Sequence, residues 1–301
     1  MTKRSVALAR ALPTALLALV LPVLPVLGSA AAAPAPVAAA TPTTAVAAKQ
    51  APRFRCEIDA YGQARSGKVT LRHVTGNRVT VAKSTSRPVS WRPVAWGLVM
   101  LNQWPGHEET HQVVAATDGK VRLVRTEWNA RGSLKLRVLK VLGSGYPSRL
   151  IAFDDRSLYW VGTDGFLHRA TWNGRRLVRP TILPVPISQA TTLTAAMTER
   201  GTRVYYTDRA GALHVVQDEG AESTDTVLRA SGYAAVTALR SGTCIDDRYT
   251  GATAPVPLLV VDRSTGVARV QRVLRPDART GGTLAAPTRV RPGGWTWPRL
   301  G

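Results

Sequence analysis

The sequence predicts an all-β fold, a five-bladed β-propeller with four antiparallel strands per blade. Three observations predict it. Five glycines, Gly67, Gly119, Gly165, Gly211 and Gly266, recur 46 to 55 residues apart, each opening a similar alternating segment. Self-similarity at such a period marks one supersecondary unit repeated. Within a period, short β-branched and aromatic runs are separated by polar turn pairs. The first unit lacks one strand, and the end of the chain offers it.

Unit three, residues 145–184, carries the template. GYPSRLIAF (145–153) reads as a short strand ended by the turn Asp154-Asp155-Arg156. SLYWVGT (157–163) and FLHRATW (166–172) flank Asp164-Gly165, and Asn173-Gly174 leads into RLVRPTIL (176–183). Asp-Gly and Asn-Gly suit two-residue hairpin loops because both tolerate positive φ. Four strands in about 45 residues make one blade.

The other units repeat the template. Unit one begins at FRCEIDAYG (54–62) and continues with KVTLRHV and RVTVAKS, with no first strand of its own. Unit two runs SWRPVAWGLVML, HQVVAAT, KVRLVRTEW and LKLRVLKVL. Unit four runs ISQATTLTAAM, TRVYYTD, ALHVVQ and TDTVLRAS. Unit five has GYAAVTALRS, an insertion from about Ser241 to Val256, then PLLVVD, VARVQRV and TLAAPTRVR. The closing GWTWPRL (294–300) shares the Gly-aromatic opening of units three and five, so a C-terminal strand is expected to complete blade 1 and shut the ring.

On blade number, period, Asp-Gly turns and Gly-aromatic starts, residues 53–301 resemble the tachylectin family of five-bladed propeller lectins and the tachylectin-like exported propellers of bacteria. The resemblance implies a non-enzymatic secreted lectin that binds N-acetylated sugars at one site per blade. The chain departs from five equal copies. Unit one lacks the Asp-Gly pair, and units four and five stretch the turn with Arg209-Ala210 and Arg263-Ser264-Thr265.

Residues 1–33 read as a signal peptide: Lys3, Arg4 and Arg10 precede an apolar run at 15–28 that ends in small residues. Pro22 and Pro25 interrupt that run, which falls short of the ~20 residues a membrane span needs. Residues 34–52 are an Ala/Pro/Thr-rich linker. A secreted monomer without a transmembrane anchor or cofactor is expected. Net charge is +21, and removing the three basic residues of the leader leaves +18. Such a surplus favours polyanionic surfaces, and an anionic cell-envelope polymer is the alternative partner to a glycan. The arginines are scattered and no nucleic-acid motif appears, so no specific nucleic-acid partner is expected.

Two cysteines, Cys56 and Cys244, permit one intramolecular bridge in an oxidising compartment, the alternative being two free buried thiols. The register puts both at the same end of neighbouring blades, which predicts the Cys56–Cys244 disulfide.

For ligand binding, the blade-start aromatics Trp91, Tyr146, Tyr233 and Trp295 offer faces for sugar stacking, or else pack between blades. Asp118, Asp164 and Asp208 offer polar acceptors beside them, or else simply form turns, as does Asp262. Both sets emerge on one side of a propeller. His168, His214, Arg122 and Arg269 recur at one position of the unit, as solvated positions or as ligand-facing hydrogen-bonding groups.

Enzymatic readings rest on less. His107-Glu108-Glu109-Thr110-His111 satisfies the H-E-x-x-H pattern, in which two histidines one helical turn apart bind zinc. Pro105-Gly106 precedes it where a helix is needed, and the register places it in the turn between the first two strands of blade 2. Glu57 and Asp59 are the strand-borne carboxylate pair near the closure, which a propeller glycosidase would need around its central cavity.

Overall fold

The computed structural model describes residues 53–104, 107–129, 131–146, 150–220, 222–248, 251–297 and 299–300. The leader at 1–33 and the linker at 34–52 lie outside the described residues. Every regular element described is a β-strand. Among the described residues no helix is long and apolar enough to cross a membrane.

Blade 1 holds β1 (Phe54–Gln63), β2 (Val69–Thr75) and β3 (Arg78–Ser84). Blade 2 holds β4 (Pro93–Trp104), β5 (His107–Ala116), β6 (Val121–Asn129) and β7 (Lys135–Gly143). Blade 3 holds β8 (Ile151–Phe153), β9 (Ser157–Val161), β10 (Phe166–Trp172) and β11 (Leu177–Pro186). Blade 4 holds β12 (Ala190–Thr198), β13 (Gly201–Asp208), β14 (Leu213–Asp218) and β15 (Ser223–Arg229). In blade 5, β16 (Ala238–Ser241) is followed, after β17 (Thr243–Asp246), which joins the sheet of blade 1, by β18 (Val256–Asp262) and β19 (Val267–Leu274). Its outer strand is split into β20 (Thr283–Leu284) and β21 (Thr288–Arg289), and β22 (Arg299–Leu300) ends the chain. Every blade is an antiparallel sheet; blades 2, 3 and 4 are built of sequential strands, while β17 and β22 join the sheet of blade 1 and the sheet of blade 5 runs β16-β18-β19-β20 with β21 also on β19.

All five repeat glycines have positive φ, from 65° at Gly266 to 83° at Gly211. Side chains avoid that region, so the periodic glycine reflects a backbone demand of the turn between the second and third strands.

The core is five lenses between blades rather than one mass. Tyr61, Leu71, Trp96 and Val114 fill the interface of blades 1 and 2. Val113, Ile151, Leu158 and Trp160 fill that of blades 2 and 3. Tyr159, Leu183, Val204 and Val216 lie between blades 3 and 4. Tyr205, Val215, Leu258 and Val273 lie between blades 4 and 5, and Ile58, Leu259, Val270 and Trp295 close the circle. Towards the axis the strands converge, and Gly97 and Gly242 stand where a side chain would collide. A Cβ on Gly97 would sit 2.1 Å from the Phe153 ring, and one on Gly242 would sit 2.1 Å from the Glu57 carbonyl oxygen.

Buried ion pairs reinforce these interfaces. The Arg169 guanidinium donates to both carboxylate oxygens of Asp218 at 2.8 Å, and the Tyr159 hydroxyl donates to the same group. Arg203, fully buried, donates to Glu219 and Asp277 at 2.9 Å and to the Pro276 carbonyl. Part of the arginine surplus therefore serves the fold.

The ring closes as expected and with one addition. β22 pairs with β1 through Gly62↔Leu300 and Gln63↔Arg299. Four further residues of that edge are paired by β17, from Phe54↔Asp246 to Glu57↔Thr243. Two residue pairs alone would leave most of a ten-residue strand edge open, and an open edge invites foreign pairing. The blade 5 insertion covers the first four residues of it. The Trp297 indole lies on Gly62, where a Cβ would fall 1.8 Å from a ring carbon. Arg72 sits over both Trp295 and Trp297, 4.7 and 4.5 Å from the ring centroids. The predicted Cys56–Cys244 disulfide is present, joining directly opposed residues of β1 and β17.

The His107–His111 segment is corrected. It is not the turn between the first two strands of blade 2 but the first half of β5, with Trp104 opposite His107. Residues 105–106, which connect the two strands, lie outside the described residues.

Candidate functional site at the blade interfaces

The connector entering each blade crosses the repeat glycine of the blade before it. The amides of Val89, Tyr146, Ile187, Tyr233 and Trp295 donate to the carbonyls of Gly67, Gly119, Gly165, Gly211 and Gly266 respectively, at 2.9–3.2 Å. The five equivalent bonds fix the repeat register and bring the turns and blade starts together on one side. They also correct one equivalence. Val89, not Trp91, holds the aromatic's place in blade 2, and Ile187 holds it in blade 4.

Beside each turn, in blades 2 to 5, a third-strand residue opposes a second-strand residue: Arg122 and Val114, His168 and Trp160, His214 and Tyr206, Arg269 and Val260. The Tyr206 and His214 rings stack 4.4 Å apart, and those of Trp160 and His168 lie 5.3 Å apart. The turn aspartates cap their own loops. Asp118 accepts the Lys120 amide, Asp164 that of Phe166 and Asp208 that of Ala212.

In blades 2 to 4 the same carboxylates also hold the third-strand group. Asp118 accepts from Arg122 at 3.0 Å, Asp164 pairs with His168 at 2.9 Å, and Asp208 pairs with His214 at 3.3 Å. The Arg122 hydrogen bond pulls the Asp118 carboxyl down to about 2. The His168 bond likewise holds Asp164 below the usual carboxylate range.

Blade 5 breaks the pattern. Its longer turn gives Asp262 the Ser264 amide and the Thr265 hydroxyl, both at 2.9 Å. Arg269 is exposed and has no carboxylate partner among the described residues. There a pocket of about 250 Å³ opens between blades 4 and 5, lined by Arg229, Tyr233, Val260, Asp262, Arg269 and Gln271. Its floor is fixed, since the Tyr233 hydroxyl donates to Gln271 at 2.5 Å and the Gln271 amide donates to the Ala285 carbonyl. Burial raises the Tyr233 phenol, which keeps it a donor. The pocket thus offers two guanidiniums, a carboxylate and an amide around an apolar floor, a set that can hydrogen-bond a polyol and pair with an anion.

Of the aromatics singled out in the sequence, Tyr233 lines this pocket at 5% exposure. Tyr146 is half-buried, edge-on to Trp160 at 5.2 Å. Trp91 is half-buried with Arg122 5.6 Å from its ring. Trp295 is 1% exposed and lies beneath Arg72. Asp118, Asp164 and Asp208 stand at the equivalent turns of other blades. Arg229 and Gln271 were not singled out. The one available signal for this pocket was Arg269 recurring at the Arg122 position beside a stretched turn.

The zinc reading lacks its helix. On a strand rising about 3.3 Å per residue, His107 and His111 stand about 13 Å apart along β5, too far to share an ion. Glu109 between them is taken up by Arg125 at 2.7 Å and by His111 at 3.6 Å. Among the described residues no group of three or more His, Cys, Asp or Glu could hold a metal. Glu57 and Asp59 line a cavity at the ring centre, away from the blade 4–5 pocket.

No protein-family model matches the chain, and no curated protein matches it. Solved structures do. The SapL1 lectin in complex with alpha methyl fucoside is 14% identical, with 80% of this chain and 82% of that chain covered and a TM-score of 0.40. The WD40 domain of SCAP from fission yeast is 9% identical, covering 69% and 48%, with a TM-score of 0.32. Apo AztD from Citrobacter koseri is 8% identical, covering 83% and 98%, with a TM-score of 0.29. Likenesses at this level carry no argument about ligand or activity.

Proposed function

We propose that this chain is an exported, non-enzymatic carbohydrate-binding propeller whose working site is the pocket between blades 4 and 5. The observation that carries the reading is the blade 5 exception. Where the other turns spend their aspartate on the third-strand cation or imidazole, Asp262 and Arg269 stay apart and frame a pocket floored by Tyr233. Sugars need such a mix, an apolar face for the ring carbons and charged or amide groups for the hydroxyls. The disulfide suits an oxidising compartment and supports export.

The second reading is a scaffold for anionic envelope polymers. It rests on the outer strands, where Lys135, Arg137 and Lys140 of blade 2 and Arg175, Arg176 and Arg179 of blade 3 are exposed. A glycan array run at two salt concentrations separates the two. Raising salt from about 0.1 M to about 1 M shortens the screening length from about 10 to about 3 Å. Pocket binding is expected to be sugar-selective and largely retained, whereas polyanion attraction disappears. Arg269→Ala is expected to weaken the retained glycan about tenfold or more, as loss of a charge-assisted hydrogen bond does. Unchanged retention by a folded Arg269→Ala protein removes this pocket from the reading.

A further inference from the structure

Where the inner strands converge, a cavity of about 190 Å³ is lined by residues of all five blades. Gly97, Phe153, Ala195, Ala196 and Met197 give it small or apolar walls. Charge enters from three places: Glu57 and Asp59 on β1, Asp155 in the β8–β9 turn, and Arg240 on β16.

Most of these groups are already engaged. Asp59 pairs with His73 Nδ1 at 2.8 Å, and Glu57 with Arg55 at 3.3 Å. Asp154 accepts the amides of Arg156 and Ser157 and the Thr202 hydroxyl. Arg240 donates from Nε to the Asp59 carbonyl at 3.1 Å, which fixes the side chain and leaves both Nη groups without a hydrogen-bond partner among the described residues. The Asp155 carboxyl has neither a hydrogen bond nor an ion pair among the described residues, and no ion pair closes between it and Arg240. Burial first, and Asp154 second, push the Asp155 carboxyl up to about 6, while Arg240 and Arg156 act in the opposite direction.

The carboxyl of exposed Asp155 and the guanidinium of half-buried Arg240 therefore line one cavity without pairing. A ligand with one charge would satisfy one of them and leave the other without a partner. A ligand carrying both charges satisfies both. The two Nη groups can take a carboxylate side by side, and Asp155 can accept from an ammonium. We propose that the central cavity binds a small zwitterion of the α-amino acid class, its carboxylate on Arg240 and its ammonium on Asp155. The small walls limit the amino acid to a short side chain. The site uses no residue of the blade 4–5 pocket and stands or falls independently of it.

Calorimetric titration of the full chain with glycine and with alanine tests this, using acetate and methylammonium as single-charge controls. Saturable binding of a zwitterion is expected, with a dissociation constant at or below about 1 mM. Neither control should match it. Asp155→Asn and Arg240→Gln should each weaken it at least tenfold. Asp155 has a φ of 79°, a region that asparagine tolerates as aspartate does, so this variant should keep the fold and decides the matter if Arg240→Gln does not fold. The proposal is overturned if neither amino acid binds, if acetate binds as tightly as alanine, or if folded Asp155→Asn binds unchanged.

Discussion

Removing the Cys56–Cys244 bridge should lower stability more than any surface change in this chain. The bridge joins residues 188 apart, so it restrains nearly the whole propeller in the unfolded state. The chain-entropy relation gives about 5 kcal/mol for a loop of that size, and measured bridges more often contribute about 2–4 kcal/mol. The native seam has other ties. β1 and β17 stay paired over four residues, and β22 adds two pairs. The ring should therefore keep its shape in the double variant Cys56→Ala/Cys244→Ala, and the loss should appear as easier unfolding rather than altered structure. At about 2–4 °C per kcal/mol for a domain of this size, the melting temperature should fall by roughly 5–15 °C. Differential scanning calorimetry with and without reductant checks it. The wild type in reductant should melt near the variant, and the variant should ignore reductant. A variant melting within about 2 °C of wild type would refute the reasoning, because the seam would then hold without a covalent tie.

Two further outcomes follow from named contacts. Gly62→Ala places a methyl inside the Trp297 indole, so the C-terminal segment must lift from β1. Overpacking of this kind costs about 1–3 kcal/mol. The variant should melt earlier, and Trp297 should become more accessible to a fluorescence quencher than in the wild type. The Asp118–Arg122 pair gives a pH signature. Because the Asp118 carboxyl is depressed to about 2 in the fold, its contribution is fully present above about pH 4 and lost as pH falls towards 2. Arg122→Gln should therefore be less stable than wild type at neutral pH, with the gap narrowing between about pH 4 and pH 2. A gap independent of pH would mean that Arg122 acts through packing against Trp91.

What is local and periodic can be read directly from the residues. Glycine at every second-to-third-strand turn, aspartate capping the turns of blades 2 to 5 and alternation along the strands all act within a few residues, so each copy shows them. Blade number, the closure strand and the proximity of turns to blade starts were legible for that reason. What depends on distant segments meeting across the ring appears only in the folded molecule. Cys244 marks its segment as a neighbour of Cys56, about 190 residues away, but nothing in it marks a strand paired with β1, because that strand covers an edge that exists only once the ring is closed. Trp91 looked like a blade-start aromatic by composition, yet the glycine-to-connector hydrogen bond falls on Val89, and backbone geometry sets the register. Asp155 and Arg240 read as an ordinary turn acid and an ordinary strand arginine. Their shared cavity arises because five inner strands converge on one axis, which no single segment encodes.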